Sequence, residues 1–158
     1  MATKKRYRPN VAAVILSSKY PSTCEFFVAH RTDMRNVWQF PQGGIDEGEN
    51  PIEALRREIF EEIGCREIEI LGEYPEWVSY DFPDKTRTKK LYNFDGQTQK
   101  YFLVRLKNGA KIDLDAYEIP EFKEYKYMGY AELLKKVSYF KRPVYRKVID
   151  YFMKEGLI

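Results

Sequence analysis

Residues 50–64 constrain the fold more than any other part of this chain. Asn50-Pro51-Ile52-Glu53 places a capping residue, a proline at the first helical position and a glutamate three residues after the cap, which together mark a helix start. Gly64 stops the helix, because glycine adopts the left-handed conformation that ends one without steric cost. Ile52, Leu55, Ile59 and Ile63 recur at helical spacing and mark a buried stripe, so the opposite face carries Arg57, Glu58, Glu61 and Glu62. A helix with one apolar stripe must lay it on another layer.

The remainder of the chain supplies that layer. Residues 11–16 and 24–30 read as strands joined by a turn-forming stretch that contains Pro21. Residues 37–40 form a short apolar segment, and Pro41-Gln42-Gly43-Gly44 after them is a breaker cluster. Residues 68–71, 76–80, 99–106 and 125–128 read as further strands. Two helices close the chain over 130–137 and 143–155, with Leu133, Leu134, Val137, Val144, Val148, Tyr151 and Phe152 as their buried residues. This order implies a mixed β-sheet with helices packed on it, the α+β or α/β layered class. No internal repeat, Gly/Ser-rich linker or low-complexity run interrupts it, so 1–158 reads as one domain.

Composition excludes several function classes. With 27 basic against 24 acidic residues the net charge is only +3, so bulk charge cannot grip nucleic acid and local patches must do so. The 13 Tyr and 10 Phe exceed ordinary usage, and such rings either fill a core or stack on bases. Lys4, Lys5, Arg6 and Arg8 precede an apolar run of only six residues, 11–16, too short for a signal peptide or a membrane span. Cys24 and Cys65 lie far apart in no metal-binding spacing, which reads as two reduced, packed thiols and a cytoplasmic protein.

Glu58, Glu61 and Glu62 stand at i, i+3 and i+4, so like charges crowd one side of the helix, with Arg57 four residues before Glu61. A divalent cation relieves that repulsion, and hard oxygen ligands on a rigid element suit Mg²⁺ or Mn²⁺. A solvated acidic face is the plainer reading. The Gly-Gly loop directly before the helix favours the first, since its backbone can approach a metal or phosphate and the helix start favours anions.

The stretch GGIDEGENPIEALRREIFEEIGC resembles the Nudix box, Gly-x5-Glu-x7-Arg-Glu-U-x-Glu-Glu-x-Gly-U with U aliphatic, at Gly43, Glu49, Arg57, Glu58, Ile59, Glu61, Glu62 and Gly64. Only Cys65 departs, at the last aliphatic position. The resemblance implies an α/β/α sandwich bearing a loop-helix-loop motif, with C-terminal helices. It implies a divalent metal, Mg²⁺ or alternatively Mn²⁺, held by Glu58, Glu61, Glu62 and the Gly43 carbonyl, and hydrolysis of a nucleoside diphosphate linked to another group. Glu61 and Glu62 would be primary ligands, and Glu58 either a ligand or the base. Coupled titration leaves the base open among the clustered carboxylates. Arg57 would orient Glu61 or Glu49. The lone His30 reads as an ordinary strand residue.

Five further blocks are similar to the bacterial RNA 5′-pyrophosphohydrolases, also described as dinucleoside polyphosphate hydrolases. They are Tyr7-Arg8-Pro9-Asn10-Val11, Trp38-Gln39-Phe40-Pro41-Gln42-Gly43-Gly44, Gly96-Gln97-Thr98-Gln99-Lys100-Tyr101-Phe102, Pro120-Glu121-Phe122 and Phe140-Lys141-Arg142 with Val144-Tyr145. The resemblance implies that Glu121 adds a carboxylate to the metal cluster, that Arg8 and Lys141 grip phosphates, that Gln42 binds substrate, and that Phe140 stacks on a base. Lys85, Arg87, Lys89 and Lys90 form a basic loop that can track an RNA backbone or lie solvated. The implied substrate is the 5′-triphosphate end of RNA, cleaved to a 5′-monophosphate as the opening step of mRNA decay. Diadenosine polyphosphates, which present the same phosphate chain, are the alternative. A catalytically silent RNA-binding domain is a third reading, opposed by the intact acidic cluster. No DNA or membrane partner is expected, and an activating protein partner is not legible from the residues.

Overall fold

The computed structural model describes residues 4–83 and 93–158. The basic loop of Lys85, Arg87, Lys89 and Lys90 lies outside them. The strands are β1 (Tyr7–Leu16), β2 (Glu25–Arg31), β3 (Trp38–Gln39), β4 (Gln42–Gly44), β5 (Ile68–Glu73), β6 (Val78–Asp81), β7 (Gly96–Leu106) and β8 (Phe122–Gly129), and the helices are α1 (Pro51–Ile63), α2 (Tyr130–Lys136) and α3 (Arg142–Lys154). All eight strands join one mixed sheet, with the path β3-β2-β1-β7-β5 and with β4, β6 and β8 attached to β1, β7 and β2. β1 and β7 run parallel and the other pairs antiparallel.

The sheet is covered on both faces, and β1 shows why. Val11, Ala13 and Ile15 point into a core shared with Ala54, Leu55, Ile59 and Ile63 of α1. Ala12, Val14 and Leu16 point into a second core with Leu133 of α2 and Val144, Val148 and Phe152 of α3. A strand buried on both faces reads as an unbroken apolar run, and 11–16 is one. The α/β/α sandwich is therefore present, and no helix of the described residues is long and apolar enough to cross a membrane.

Several expected boundaries and burials are corrected. The Pro41–Gly44 breaker cluster contains strand β4, whose Gln42, Gly43 and Gly44 pair with Ala12, Val11 and Asn10. β1 and β7 begin earlier than expected, because polar residues Tyr7–Asn10 and Gly96–Gln99 continue the parallel ladder. Hydrogen bonding across the ladder outweighs their low strand preference. β8 likewise runs beyond 125–128, since Phe122 and Glu124 before that range and Gly129 after it pair with β2. Ile52 is 45% exposed, sitting in the first turn of α1 at the margin of the core, while Ala54 and Glu62 are buried. Leu134 and Tyr151 are only partly buried, and Tyr145 and Ile149 fill the space instead. The Tyr145 ring stacks on Phe40 at 4.2 Å, and its hydroxyl accepts the Phe40 N–H at 3.1 Å. Cys24 and Cys65 are free thiols.

The cap of α1 is complete. Asn50 Oδ1 accepts the Glu53 N–H at 2.9 Å, and Glu53 Oε1 accepts the Asn50 N–H at 3.2 Å. Gly64 ends the helix at φ 70°, with its N–H on the Phe60 carbonyl at 2.9 Å. Replacing Asn50 by Ala is expected to lower the unfolding free energy by about 1 kcal/mol in urea titration, while Asn50→Asp, which keeps an acceptor, stays near the parent. An unchanged midpoint for the alanine variant would deny the cap an energetic role.

Candidate active site

Two of the three clustered carboxylates of α1, Glu58 and Glu61, are arranged around Arg57. Its guanidinium forks onto Glu49, with Nε donating to Oε2 at 2.7 Å and Nη2 to Oε1 at 2.9 Å. Nη2 also donates to the Gly44 carbonyl at 2.8 Å, and Nη1 reaches Glu58 at 2.8 Å and Glu61 at 3.3 Å. One cation thus ties strand β4, the following loop and two helical carboxylates together. The sequence reading had Arg57 orienting Glu61 or Glu49, and it holds both. The same hydrogen bonds keep the Glu49 carboxyl below its ordinary range and push the guanidinium, never deprotonated in any case, further up.

Gly43 makes room for this arrangement. A Cβ at that position would lie 1.9 Å from the Glu58 carboxyl carbon, so only glycine lets that carboxylate rest against the backbone of β4. A Cβ on Gly44 would similarly meet the Arg8 guanidinium at 2.3 Å. The glycine pair brings one carboxylate and one guanidinium against a single short strand.

Glu62 departs from the expected solvent-facing position. It is 2% exposed, Oε1 accepts the Gln42 N–H at 3.2 Å, and Oε2 is buried with no hydrogen-bond partner. Burial, then the fields of Glu121 and Glu58, push its carboxyl well above the usual range. Glu58 is also pushed up, mainly by burial, which outweighs the opposing pull of Arg57. Ionising both inside the protein requires a compensating cation.

The donors fit a hard divalent ion. Carboxylates of Glu58, Glu62 and Glu121 with a backbone carbonyl of β4 form an all-oxygen set, and the orphaned Glu62 oxygen is one such an ion would satisfy. Among the described residues no three acidic, His or Cys groups close on one point, because Glu58 and Glu61 are drawn to Arg57.

Arg8, Gln42, Gly43, Glu58, Glu121, Phe140 and Lys141 line one cavity of about 200 Å³. Seven of the expected site residues are therefore brought together from β1, β4, α1, the approach to β8 and the approach to α3. Arg57, Glu49, Glu61, Glu62 and Gly64 do not line it. Lys141 is buried at 6% exposure, and burial followed by the field of Arg31 lowers its ammonium to about 7. Its Nζ donates to Gln42 Oε1 at 3.2 Å. Phe140 sits among rings, with its centroid 5.6 Å from Tyr80 and 5.7 Å from Tyr139.

A polar floor beneath Gln42 was missed by sequence reasoning. Gln99 Nε2 donates to Gln42 Oε1 at 2.9 Å and to Asn10 Oδ1 at 2.8 Å, and Tyr101 donates to Gln99 Oε1 at 2.6 Å. Tyr80 donates to Gln97 Oε1 at 2.6 Å, which Gln42 Nε2 also reaches at 3.4 Å. Gln42 lines the cavity, but its amide is committed to holding Lys141 and this floor. The signal was the i, i+2 spacing of Gln97 and Gln99, which places both on one face of β7. Arg31 and Gln39 also line the cavity without having been singled out. His30 is buried in the sheet, where Nδ1 meets Glu124 Oε1 at 3.1 Å and Nε2 accepts the Asn36 N–H at 3.0 Å.

Comparison with known proteins identifies relatives of the whole chain. The chain is 73% identical over 158 residues to the RNA pyrophosphohydrolase of Sulfurovum sp. (strain NBC37-1), covering 100% of both chains. It is 58% identical over 154 residues to that of Helicobacter pylori (strain HPAG1), covering 98% of each. Two solved structures share the fold: the E. coli dihydroneopterin triphosphate pyrophosphohydrolase at TM-score 0.70 and 18% identity, covering 92% of this chain and 99% of that one, and a C. elegans Ap4A hydrolase binary complex at TM-score 0.69 and 20% identity, covering 94% and 98%. The NUDIX domain matches residues 6–148, which take in every residue that builds the cavity. With glycine strand, capped acidic helix and sheet all inside that span, the chain belongs to the Nudix family.

Proposed function

We propose that this protein removes pyrophosphate from the 5′-triphosphate end of RNA in the cytoplasm, leaving a 5′-monophosphate. The observation that carries this reading is the joint lining of one cavity by two phosphate-seeking cations, Arg8 and Lys141, and by the carboxylates Glu58 and Glu121. The names of the full-length relatives support RNA as the substrate.

The chemistry follows from charge. A polyphosphate repels an attacking oxygen, so its own charge must be countered before water can reach phosphorus. Arg8 and Lys141 do this from the chain's side. Lys141, brought down to about 7 by burial and then by Arg31, is favoured in its charged form when phosphate arrives beside it. Glu58, Glu61, Glu62, Glu121 and the Gly43 carbonyl are the groups that would hold Mg²⁺ or Mn²⁺, which supplies charge neutralisation and a more acidic water. Arg57 fixes Glu58 and Glu61 against rotation, while Gly43 admits the Glu58 carboxylate to the strand. A carboxylate of the cluster takes the proton as water adds to phosphorus. The phosphoanhydride bond then breaks and pyrophosphate departs.

Initial rates on triphosphorylated RNA and on diadenosine tetraphosphate, with Mg²⁺ and then Mn²⁺, test the reading. Faster pyrophosphate release from RNA is expected, and turnover of the dinucleotide alone would replace RNA as the substrate. Glu62→Gln replaces a buried carboxyl whose ionisation is disfavoured by burial and by Glu121 and Glu58, so it is expected to keep or raise the metal-free melting temperature. It should also abolish the melting increment that Mg²⁺ gives the parent and cut kcat by about a hundredfold or more. A retained Mg²⁺ increment would remove Glu62 from the metal site.

Arg8→Ala and Lys141→Ala are expected to raise KM more than they lower kcat, as loss of substrate grip should. Lys141 is charged below its pKa, so kcat/KM should fall as pH rises through about 7. Lys141→Arg, always charged, should move that limb to higher pH. A limb left in place by the arginine variant would assign it to another group.

A further inference from the structure

Residues 32–37 connect β2 to β3 and bring Met34 and Val37 to the cavity, while Arg31 reaches it from the last position of β2. The connection forms no helix or strand, and Thr32, Asp33, Arg35 and Asn36 are exposed. Apolar packing is a weak hold on such a segment, so its place depends on hydrogen bonds. At its start the Arg31 guanidinium forks onto Asp33 at 2.8 and 2.6 Å, and the Thr32 N–H donates to the Glu121 carbonyl at 2.9 Å. At its end the Arg31 N–H donates to the Val37 carbonyl at 3.1 Å, and the Asn36 N–H donates to His30 Nε2 at 3.0 Å.

The last of these bonds ends on a buried side chain of the sheet. His30 is the chain's one histidine and is 6% exposed. A backbone N–H only donates, so Nε2 accepts and the ring proton lies on Nδ1, which donates to Glu124 Oε1 of β8 at 3.1 Å. Stacking on Trp38, with centroids 4.9 Å and planes 19° apart, fixes the tilt of the ring. Asn36 itself sits at φ 57°, in the left-handed region that asparagine tolerates. A phenyl ring at position 30 could stack on Trp38 as well, but it would leave the Asn36 N–H without this acceptor. The imidazole therefore ties a rigid strand pair to the loop that borders the cavity.

We propose that His30 is a positioning residue for substrate binding. In its Nδ1–H form, held by Glu124, it anchors the Asn36 N–H and so fixes the β2–β3 loop that carries Met34 and Val37 beside Arg31. This rests on the reading of the cavity as the substrate site. With one histidine in the chain, selective ¹⁵N-histidine labelling gives a single pair of ring signals. They should show a protonated Nδ1 and a bare, hydrogen-bonded Nε2 in the unmodified protein at neutral pH, and the Nε2–H form would overturn the proposal.

Two variants separate anchoring from simple burial. His30→Asn keeps a donor towards Glu124 and loses the acceptor for Asn36, so KM for triphosphorylated RNA should rise about five- to tenfold, the worth of one hydrogen bond, with kcat within about twofold. Hydrogen exchange at the Asn36 amide should quicken in the same variant. His30→Gln restores an acceptor near Nε2 and should bring KM back to within about twofold of the parent. An unchanged KM in the asparagine variant, or equal losses in both variants that follow their melting temperatures, would reduce His30 to a structural group and overturn the proposal. If neither variant folds, Glu124→Leu at a half-exposed position leaves the ring in place and frees its tautomer. Mixed tautomer signals with a raised KM are then expected, and a raised proportion of Nε2–H with KM unchanged would overturn it. Absence of pyrophosphate release from RNA by the parent would remove the RNA reading, and the same KM comparison on diadenosine tetraphosphate would then decide the role of His30.

Discussion

The Arg57 guanidinium is the joint on which the site depends. It meets a backbone carbonyl of β4, a carboxylate of the loop and two carboxylates of α1 at once, so the strand, the loop and the helix cannot move independently. A planar fork of donors can do this, whereas a lysine ammonium lacks the geometry. The repulsion among Glu58, Glu61 and Glu62 is partly absorbed by the same group, and a full answer to it requires a further cation.

The sheet provides two different environments on the same strands. Along β1 and β7 the apolar residues face two cores, while Asn10, Gln97 and Gln99 lie buried near one end under β4. A low-dielectric surround strengthens these amide bonds and raises the cost of any that goes unmade. The satisfied floor therefore holds Lys141 and Gln42 in fixed positions. Tyr145 links this floor to the helical layer, since its ring stands edge-on to Tyr101 and stacks on Phe40.

Local signals carried far in this chain. The capping box, the stop at Gly64, the apolar run of 11–16 and the carboxylate spacing of α1 are all short-range patterns, and each was legible because backbone geometry follows from a few adjacent residues. The Nudix box told which side chains to watch. Boundaries failed where long-range pairing overrode local preference: Gly43 and Gly44 look like loop residues until β1 pairs with them, and the polar start of β7 looks unstructured until the parallel ladder extends over it.

The sequence by itself determined that α1 would be capped, amphipathic and acidic, and that residues 11–16 would form an apolar strand. Only the tertiary structure decided that Glu62 is enclosed rather than solvated, that Lys141 is a buried cation lowered to about 7, and that Gln39 has no partner. The reason is that burial and charge environment are set by residues distant along the chain: Gln42 and Glu121 around Glu62, and Arg31 near Lys141. Such neighbours meet only when the sheet is assembled, and no periodicity within one segment encodes them.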